Sequence, residues 1–313
     1  MRSLSTSSLN KQEIKVYTAA IAFSLIVGFS FLGIKSCAAT ASTLEILAHR
    51  FNFAFLGACI AILPGKIKMN IRGKKKSTLA WTAGFYVGFM VLQTVGLVFA
   101  TSIVGGIIFA IIPILAKIIA GLFLKETTTW KQNIFACLSV AAVMAMFICG
   151  ATDIQVHFIG WIILFLASIC MATSNVIMRG VRGEYTPVEI AFSISAVGFF
   201  VFNLAFFVYA LGAGVTFIDY LSPLKEPVFL IAIIYLGIPS TFVSSLIMSY
   251  MLAHMKAMKA TMFGNLSTAI SIIAGVVILH EPLALYHIVC TILIVIGVIG
   301  VSIPTMGTRK GGI

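Results

Sequence analysis

The sequence predicts an all-α integral membrane protein of ten transmembrane helices, arranged as two inverted five-helix repeats with the N- and C-termini cytoplasmic. Three observations predict it. Of 313 residues, 60% are apolar and 10% charged, whereas about 25% of a water-soluble chain is charged. Apolar runs long enough to cross a bilayer recur along the whole chain, and Lys and Arg fall almost entirely in alternate connecting segments. Lipid offers the backbone no hydrogen-bond partner, so each crossing must be a helix of roughly 20 mostly apolar residues.

Ten runs meet that requirement. The first, Val16–Cys37, is too long for the core of a signal peptide, so the Cys37–Ser42 stretch (CAATAS), which imitates a cleavage site, is expected to stay intact. Leu44–Leu63, Leu79–Ala100, Ile103–Leu124 and Trp130–Cys149 complete a first set of five. Phe158–Met178, Val188–Leu211, Val228–Leu252, Ala257–Leu279 and Tyr286–Ile303 make the second. The joins at 100–102 and 252–257 are short enough for a tight turn or for one long kinked helix. Residues 1–15 and 304–313 are then cytoplasmic tails, and 16–150 and 151–303 the two repeats.

Cytoplasmic loops retain positive charge during insertion. Placing the N-terminus inside puts 17 of the 21 Lys and Arg in cytoplasmic segments and leaves only Lys225 outside; Lys35, Arg50 and Lys117 lie within spans. The net charge of +12 therefore reflects topology and contact with anionic headgroups. Nucleic acid is not an expected partner: the Lys66–Lys76 cluster lacks the interleaved aromatics on which bases stack.

The repeat shows at two offsets. A shift of 144 places Ser30 on Ser174, Lys35 on Arg179 and Glu45 on Glu189; a shift of 155 places Leu124-Lys125-Glu126 on Leu279-His280-Glu281. Five crossings being odd, the second copy enters the bilayer upside down. Inverted repeats of this kind recur in secondary carriers, with the binding site near the midplane where the halves meet.

Gly28-Phe29-Ser30, His49-Arg50-Phe51, Pro113 thirteen residues before Glu126, and then Gln132, set in ten helices of five plus five, resemble the EamA-type branch of the drug/metabolite transporter superfamily over about residues 16–303. The chain departs from that pattern in lacking a tryptophan before Gly28 and in carrying Thr268 where the first copy has Pro113. The resemblance implies a multi-pass cell-membrane protein that exports or exchanges a small metabolite. It further implies a central cavity lined by helices 1, 3, 4, 6, 8 and 9, with helices 5 and 10 peripheral.

Lys117 is the most informative single residue, because a cation near mid-membrane costs at least about 2.5–3.5 kcal/mol. It shares a helical face with Gly106, Ala110, Pro113 and Gly121, where small side chains leave room. Two placements fit: lining a cavity, or snorkelling about 10 Å to the cytoplasmic surface. The matching stripe on the ninth span, Thr261, Asn265 and Thr268, is either a ligand-facing wall or interhelical glue. Tyr86, Gln93 and Thr94 on the third span, Asn175 on the sixth, and Thr241 and Ser245 on the eighth complete the candidate binding set. Pro113 and Pro239 should each free a backbone carbonyl in a pore-lining helix. Glu45, Arg50, Glu126 and Glu281 are candidate gating or structural charges; Arg50 and Glu45, with His49 nearby, either form a charge network fixing the outer end of helix 2 or reach a substrate in an outward vestibule.

Set against Glu45, the three intramembrane cations leave this region at +2 with histidines neutral. No carboxylate lies near the midplane, as an exporter of lipophilic cations would want. An amino-acid-like or carboxylate-bearing metabolite is the better expectation, with a proton as the conceivable coupling ion. No catalytic motif, metal cluster, cofactor or nucleotide-binding loop is present, and five histidines scattered over both sides argue against a membrane-embedded enzyme or lipid-handling protein. The six cysteines lie singly within apolar runs and read as small packing residues. Gly84-x-x-x-Gly88 could pack two helices closely, within one subunit or in a homodimer.

Overall fold

The computed structural model describes residues 11–63, 74–100, 102–149, 158–280 and 284–303, apart from the side chains of Ser102, Ile103 and Leu279. These residues form ten helices long and apolar enough to cross a membrane. They are α1 (Lys11–Ala38), α2 (Thr43–Ile62), α3 (Lys76–Phe99), the pair α4 (Ser102–Phe109) and α5 (Ile112–Leu124), α6 (Trp130–Cys149), α7 (Phe158–Gly180), α8 (Pro187–Ala213), the pair α10 (Pro227–Gly237) and α11 (Ser244–His254), α12 (Ala257–Leu279) and α13 (Leu285–Ser302); α9 (Phe217–Leu221) is a short helix in the loop before α10. Neither short join conceals a continuous helix. Ala100 and Met255 are both extended, at φ −142° and −134°.

Both prolines interrupt their spans. Pro113 at the second position of α5 has no N–H to give the preceding turn, and the chain breaks at Ala110–Ile111. Pro239 sits in a π-turn, Ile238–Val243, that separates α10 from α11. Hydroxyls satisfy the carbonyls this turn releases: Thr241 Oγ1 donates to Leu236 O at 2.8 Å, and Ser244 Oγ donates to Ser240 O.

The repeat is written in the helix ends. Ser42 with Glu45, and Thr186 with Glu189, form matching capping boxes at the starts of α2 and α8, 144 residues apart. Lys125 and His280 close α5 and α12 in the same left-handed conformation, each at φ 54°, with N–H groups bonded to Ala120 O and Gly275 O. Those pairs are 155 residues apart, as are the extended Ala100 and Met255. The copies differ where proline differs: α12, with Thr268, is continuous where α4 and α5 are broken, and α3 is continuous where α10 and α11 are not.

The most extensive pairings are α3 with α7, α6 with α13, α1 with α12 and α2 with α8. The α6 and α13 pair packs chiefly on itself and stands at the periphery. Large apolar side chains such as Leu122, Phe123, Phe158, Leu204, Phe207 and Leu285 are exposed around the bundle, as a lipid-facing surface requires. Between α1 and α12, Ser24 Oγ donates to Phe263 O at 2.8 Å. Ser24→Ala should cost about 0.6 kcal/mol, the usual worth of one interhelical bond, read as a small fall in the melting temperature of the purified protein.

Three sequence expectations change here. Gly84 is exposed with no atom within 4 Å of where a Cβ would stand, and Gly88 meets only Cys170 Sγ at 4.0 Å, so this pair brings no two helices of the chain into close contact. Among the cysteines, Cys37 and Cys290 are buried as packing residues, but Cys137 and Cys149 are exposed on α6. His49 joins no charge network: its Nε2 donates to Tyr220 O at 2.9 Å and its ring stacks on Tyr220 at 4.2 Å. Tyr220 OH accepts from Asn52 at 2.7 Å and burial pushes this phenol upward in pKa, so α9 is tied down onto α2. Asp219, exposed at the start of α9, is held below the usual carboxylate range by the Thr216 hydroxyl and N–H.

Candidate functional site

Because ten is an even number of crossings, both chain ends approach one face, and depth can be counted from it along each helix at 1.5 Å per residue. Lys117 lies seven residues before the end of α5, about 10 Å in. Pro113, Ala116 and Ala120 form the buried stripe of that helix, while Ile118, Gly121 and Leu122 are exposed. At 100° per residue Lys117 flanks the buried stripe, between buried Pro113 and exposed Gly121. Its side chain is half-buried, and among the described residues it has no hydrogen-bond or ion-pair partner. The small-residue face expected around it holds only in part. The break at Ala110–Ile111 takes Gly106 out of line against Phe147 of α6, and Gly121 faces outward.

A band of polar side chains shares that depth. Asn175 on α7, Ser245 on α11 and Asn265 on α12 are about 8, 14 and 12 Å from the termini face, and each is at most 4% exposed. Asn175 Oδ1, Ser245 Oγ and Asn265 Nδ2 have no hydrogen-bond partner. A buried polar atom left unpaired costs about 1–3 kcal/mol, so three of them on mutually contacting helices mark a place where a polar group from outside the chain would be welcome. Tyr86, near mid-depth on α3, is buried. Other candidates are differently employed. Thr261 Oγ1 donates back to Ala257 O and Met258 O, and Thr94 Oγ1 to Met90 O at 2.8 Å. Gln93 and Thr94 lie seventeen and eighteen residues along α3, one layer beyond the band toward the opposite face. Thr268 is half-buried on α12.

Arg50 lies deeper than expected and has other partners. Counting twelve residues back from the end of α2 puts it about 18 Å from the termini face, near the middle of a hydrocarbon core of about 30 Å. Its Nε donates to Thr241 Oγ1 at 2.6 Å and its Nη2 to Ser240 Oγ at 3.3 Å. Glu45, five residues earlier, is half-buried and spends its carboxylate on Ser42; positions i and i+5 do not share a face. The expected Arg50–Glu45 network is therefore replaced by a bond between α2 and the π-turn.

At the termini face the sequence had marked Glu126 without its partner. The left-handed Lys125 turns Glu126 inward, where Oε1 accepts from Arg179 Nε at 2.7 Å and Oε2 from Ala257 N at 3.0 Å. Arg179 also donates to Leu252 O and Ala253 O at 2.8 and 3.2 Å. This clasp ties the α5–α6 connection of the first repeat to α7, α11 and α12 of the second. The alignment of Arg179 with Lys35 was the one signal that could have found it. Beside the clasp opens a vestibule of about 1040 Å³, lined among others by Tyr17, Gln132, Arg179, Lys256 and Lys259; its size suits a small metabolite. Lys259 Nζ and Tyr17 OH both donate to Ser302 O at 2.8 Å. Glu281 lies outside the described residues. A second cross-repeat pair, Lys74 Nζ with Glu189 Oε2 at 3.0 Å, seals the start of α8.

Ten helices in two copies, with polar groups turned inward and an apolar outer surface, define a multi-pass membrane protein. The profile of the EamA-like transporter family matches residues 14–148 and again 158–303, and the chain belongs to that family. It is 39% identical to YcxC, an uncharacterized transporter of Bacillus subtilis (strain 168), over 93% of this chain and 94% of that one. An uncharacterized transporter of Archaeoglobus fulgidus is 24% identical over 87% of this chain and 92% of its own. A crystal structure with 13% sequence identity superimposes with a TM-score of 0.77 over 92% of this chain and 96% of that chain; that likeness speaks to the fold alone.

Proposed function

We propose that this protein is a secondary carrier for a small amino-acid-like or carboxylate-bearing metabolite. The two halves rock about this polar band so that it faces each side in turn, and the protein acts as an exporter or exchanger, monomeric or as a homodimer. The observation that carries the reading is Lys117: a half-buried spanning-helix cation beside the inward stripe of α5, with no hydrogen-bond or ion-pair partner among the described residues. Its cost in a membrane calls for an anion supplied from elsewhere. Asn175, Ser245 and Asn265, with open hydrogen-bonding capacity, would orient that anion's neighbours, with Tyr86 and Thr241 beyond them. The bias of Lys and Arg toward one set of loops supports a cytoplasmic termini face and hence a vestibule open to the cytoplasm. A proton is the coupling ion we favour.

Efflux of lipophilic cations is the rival reading, and it lacks a mid-membrane carboxylate among the described residues. Counterflow in proteoliposomes with a panel of amino and carboxylic acids tests the proposal. Lys117→Met should abolish uptake of every active substrate without lowering the melting temperature, since no bond within the protein is lost. Unchanged uptake by that variant, or transport confined to quaternary ammonium dyes, would refute it.

A further inference from the structure

Arg50 presents a geometry that the carrier reading leaves unused. A guanidinium has five N–H donors in a planar fork, and here two are engaged, both along one edge: Nε with Thr241 Oγ1 and Nη2 with Ser240 Oγ. These acceptors are held in place. Thr241's own hydroxyl proton is committed to Leu236 O, which leaves its lone pairs toward Arg50, and Ser240 and Thr241 are 3% and 0% exposed. The end edge of the fork, formed by Nη1 and the second proton of Nη2, has no partner among the described residues, and the side chain is only half-buried.

An arginine whose role is to join two helices in lipid would be expected to have its charge met by an acid. No described acid is bonded to this one, and the acid of its own helix, Glu45, is fixed at the exposed end by Ser42. What fits the open edge is a planar oxyanion with two parallel oxygens. We infer that Arg50 is a carboxylate subsite of the carrier: its Nη1/Nη2 edge grips the substrate carboxylate bidentately, and the π-turn hydroxyls of Ser240 and Thr241 hold the fork in register. Lys117, some 8 Å nearer the termini face by residue count, is then the first cation a substrate meets and Arg50 the second. This subsite rests on the carboxylate reading above and supplies what a lysine cannot, recognition of the carboxylate's shape.

The test uses the wild-type protein in nanodiscs, with acetate, succinate, citrate and L-glutamate as probes and chloride at matched ionic strength as the control. Phenylglyoxal modifies accessible arginines, and peptide mass spectrometry follows Arg50 with the clasped Arg179 as internal reference. At least one carboxylate that is transported in counterflow should slow modification of Arg50 several-fold while leaving Arg179 unchanged. Arg50→Lys, which keeps the charge and loses the fork, should weaken that carboxylate about tenfold, the worth of one charge-assisted bond. If a carboxylate whose transport requires Lys117 leaves Arg50 labelling unaltered, or if Arg50→Lys transports it within twofold of wild type, the subsite is refuted and the carrier reading stands. If the wild type transports none of the carboxylates, both fall. Should Arg50→Lys fail to fold, labelling of the wild type decides alone.

Discussion

Glu126→Ala is expected to destabilise the protein by about 3–5 kcal/mol, the cost of stranding one member of a buried ion pair. The side chains of Arg179 and Glu126 are 10% and 12% exposed, so solvent screens their attraction little. Without Glu126 the guanidinium keeps only the carbonyls of Leu252 and Ala253, and the Ala257 N–H at the start of α12 loses its acceptor. Glu126→Gln, which keeps both hydrogen-bonding functions and removes the charge, should cost about 1–3 kcal/mol. Glu126→Ala with Arg179→Met should recover most of the loss, because a buried pair exchanged for apolar side chains is often close to neutral. Denaturant unfolding of the detergent-solubilised protein measures all three. A double variant as unstable as the single would mean that Glu126 acts through its contact with Ala257 alone. The clasp joins the two repeats at the termini face.

That clasp also marks where sequence reasoning stopped. The ten helices were legible because a crossing needs a length of apolar chain whatever its neighbours are. The repeat was legible because helix ends have chemical requirements: the glutamates seen at 45 and 189 are capping-box partners, and Lys125 and His280 occupy equivalent left-handed positions. Proline announced both interruptions. Partner choice was not legible. Arg50 finds Thr241 across 191 positions and Arg179 finds Glu126 across 53, and periodicity reports which way a side chain faces without naming what it meets. Hydroxyl residues are harder to read for a related reason: Thr94 and Thr261 donate to carbonyls on the preceding turn of their own helices, which leaves only their acceptor capacity free. Asn175 and Asn265 are buried, and an amide at lipid depth has no such easy local outlet.

Gly237→Ala should be among the most damaging single-methyl additions, for a reason that also bears on Arg50. A Cβ at Gly237 would lie 2.4 Å from Phe53 Cβ, 2.8 Å from Arg50 O and 3.0 Å from Ala54 N. Two of these are backbone atoms of α2, which cannot swing aside as a side-chain tip can, so the methyl must push α2 and α10 apart. Overpacking of this kind costs about 1–3 kcal/mol, and here the displaced segment is also the one that carries Arg50 to Thr241 across a 2.6 Å bond. Gly84→Ala is the matched control: the same chemical change within α3, with nothing within 4 Å to meet it, should be neutral or stabilising by up to about 1 kcal/mol through backbone entropy. Melting curves of the two variants, followed by size-exclusion of a fluorescent fusion, distinguish them. Equal melting temperatures would mean that α2 and α10 are free to separate. In that case the π-turn could not hold the Arg50 fork in register, and Gly237→Ala would leave phenylglyoxal labelling of Arg50 as it is in the wild type. A large loss in Gly237→Ala alone, with faster labelling of Arg50, would tie the closeness of the two backbones to the orientation of the guanidinium.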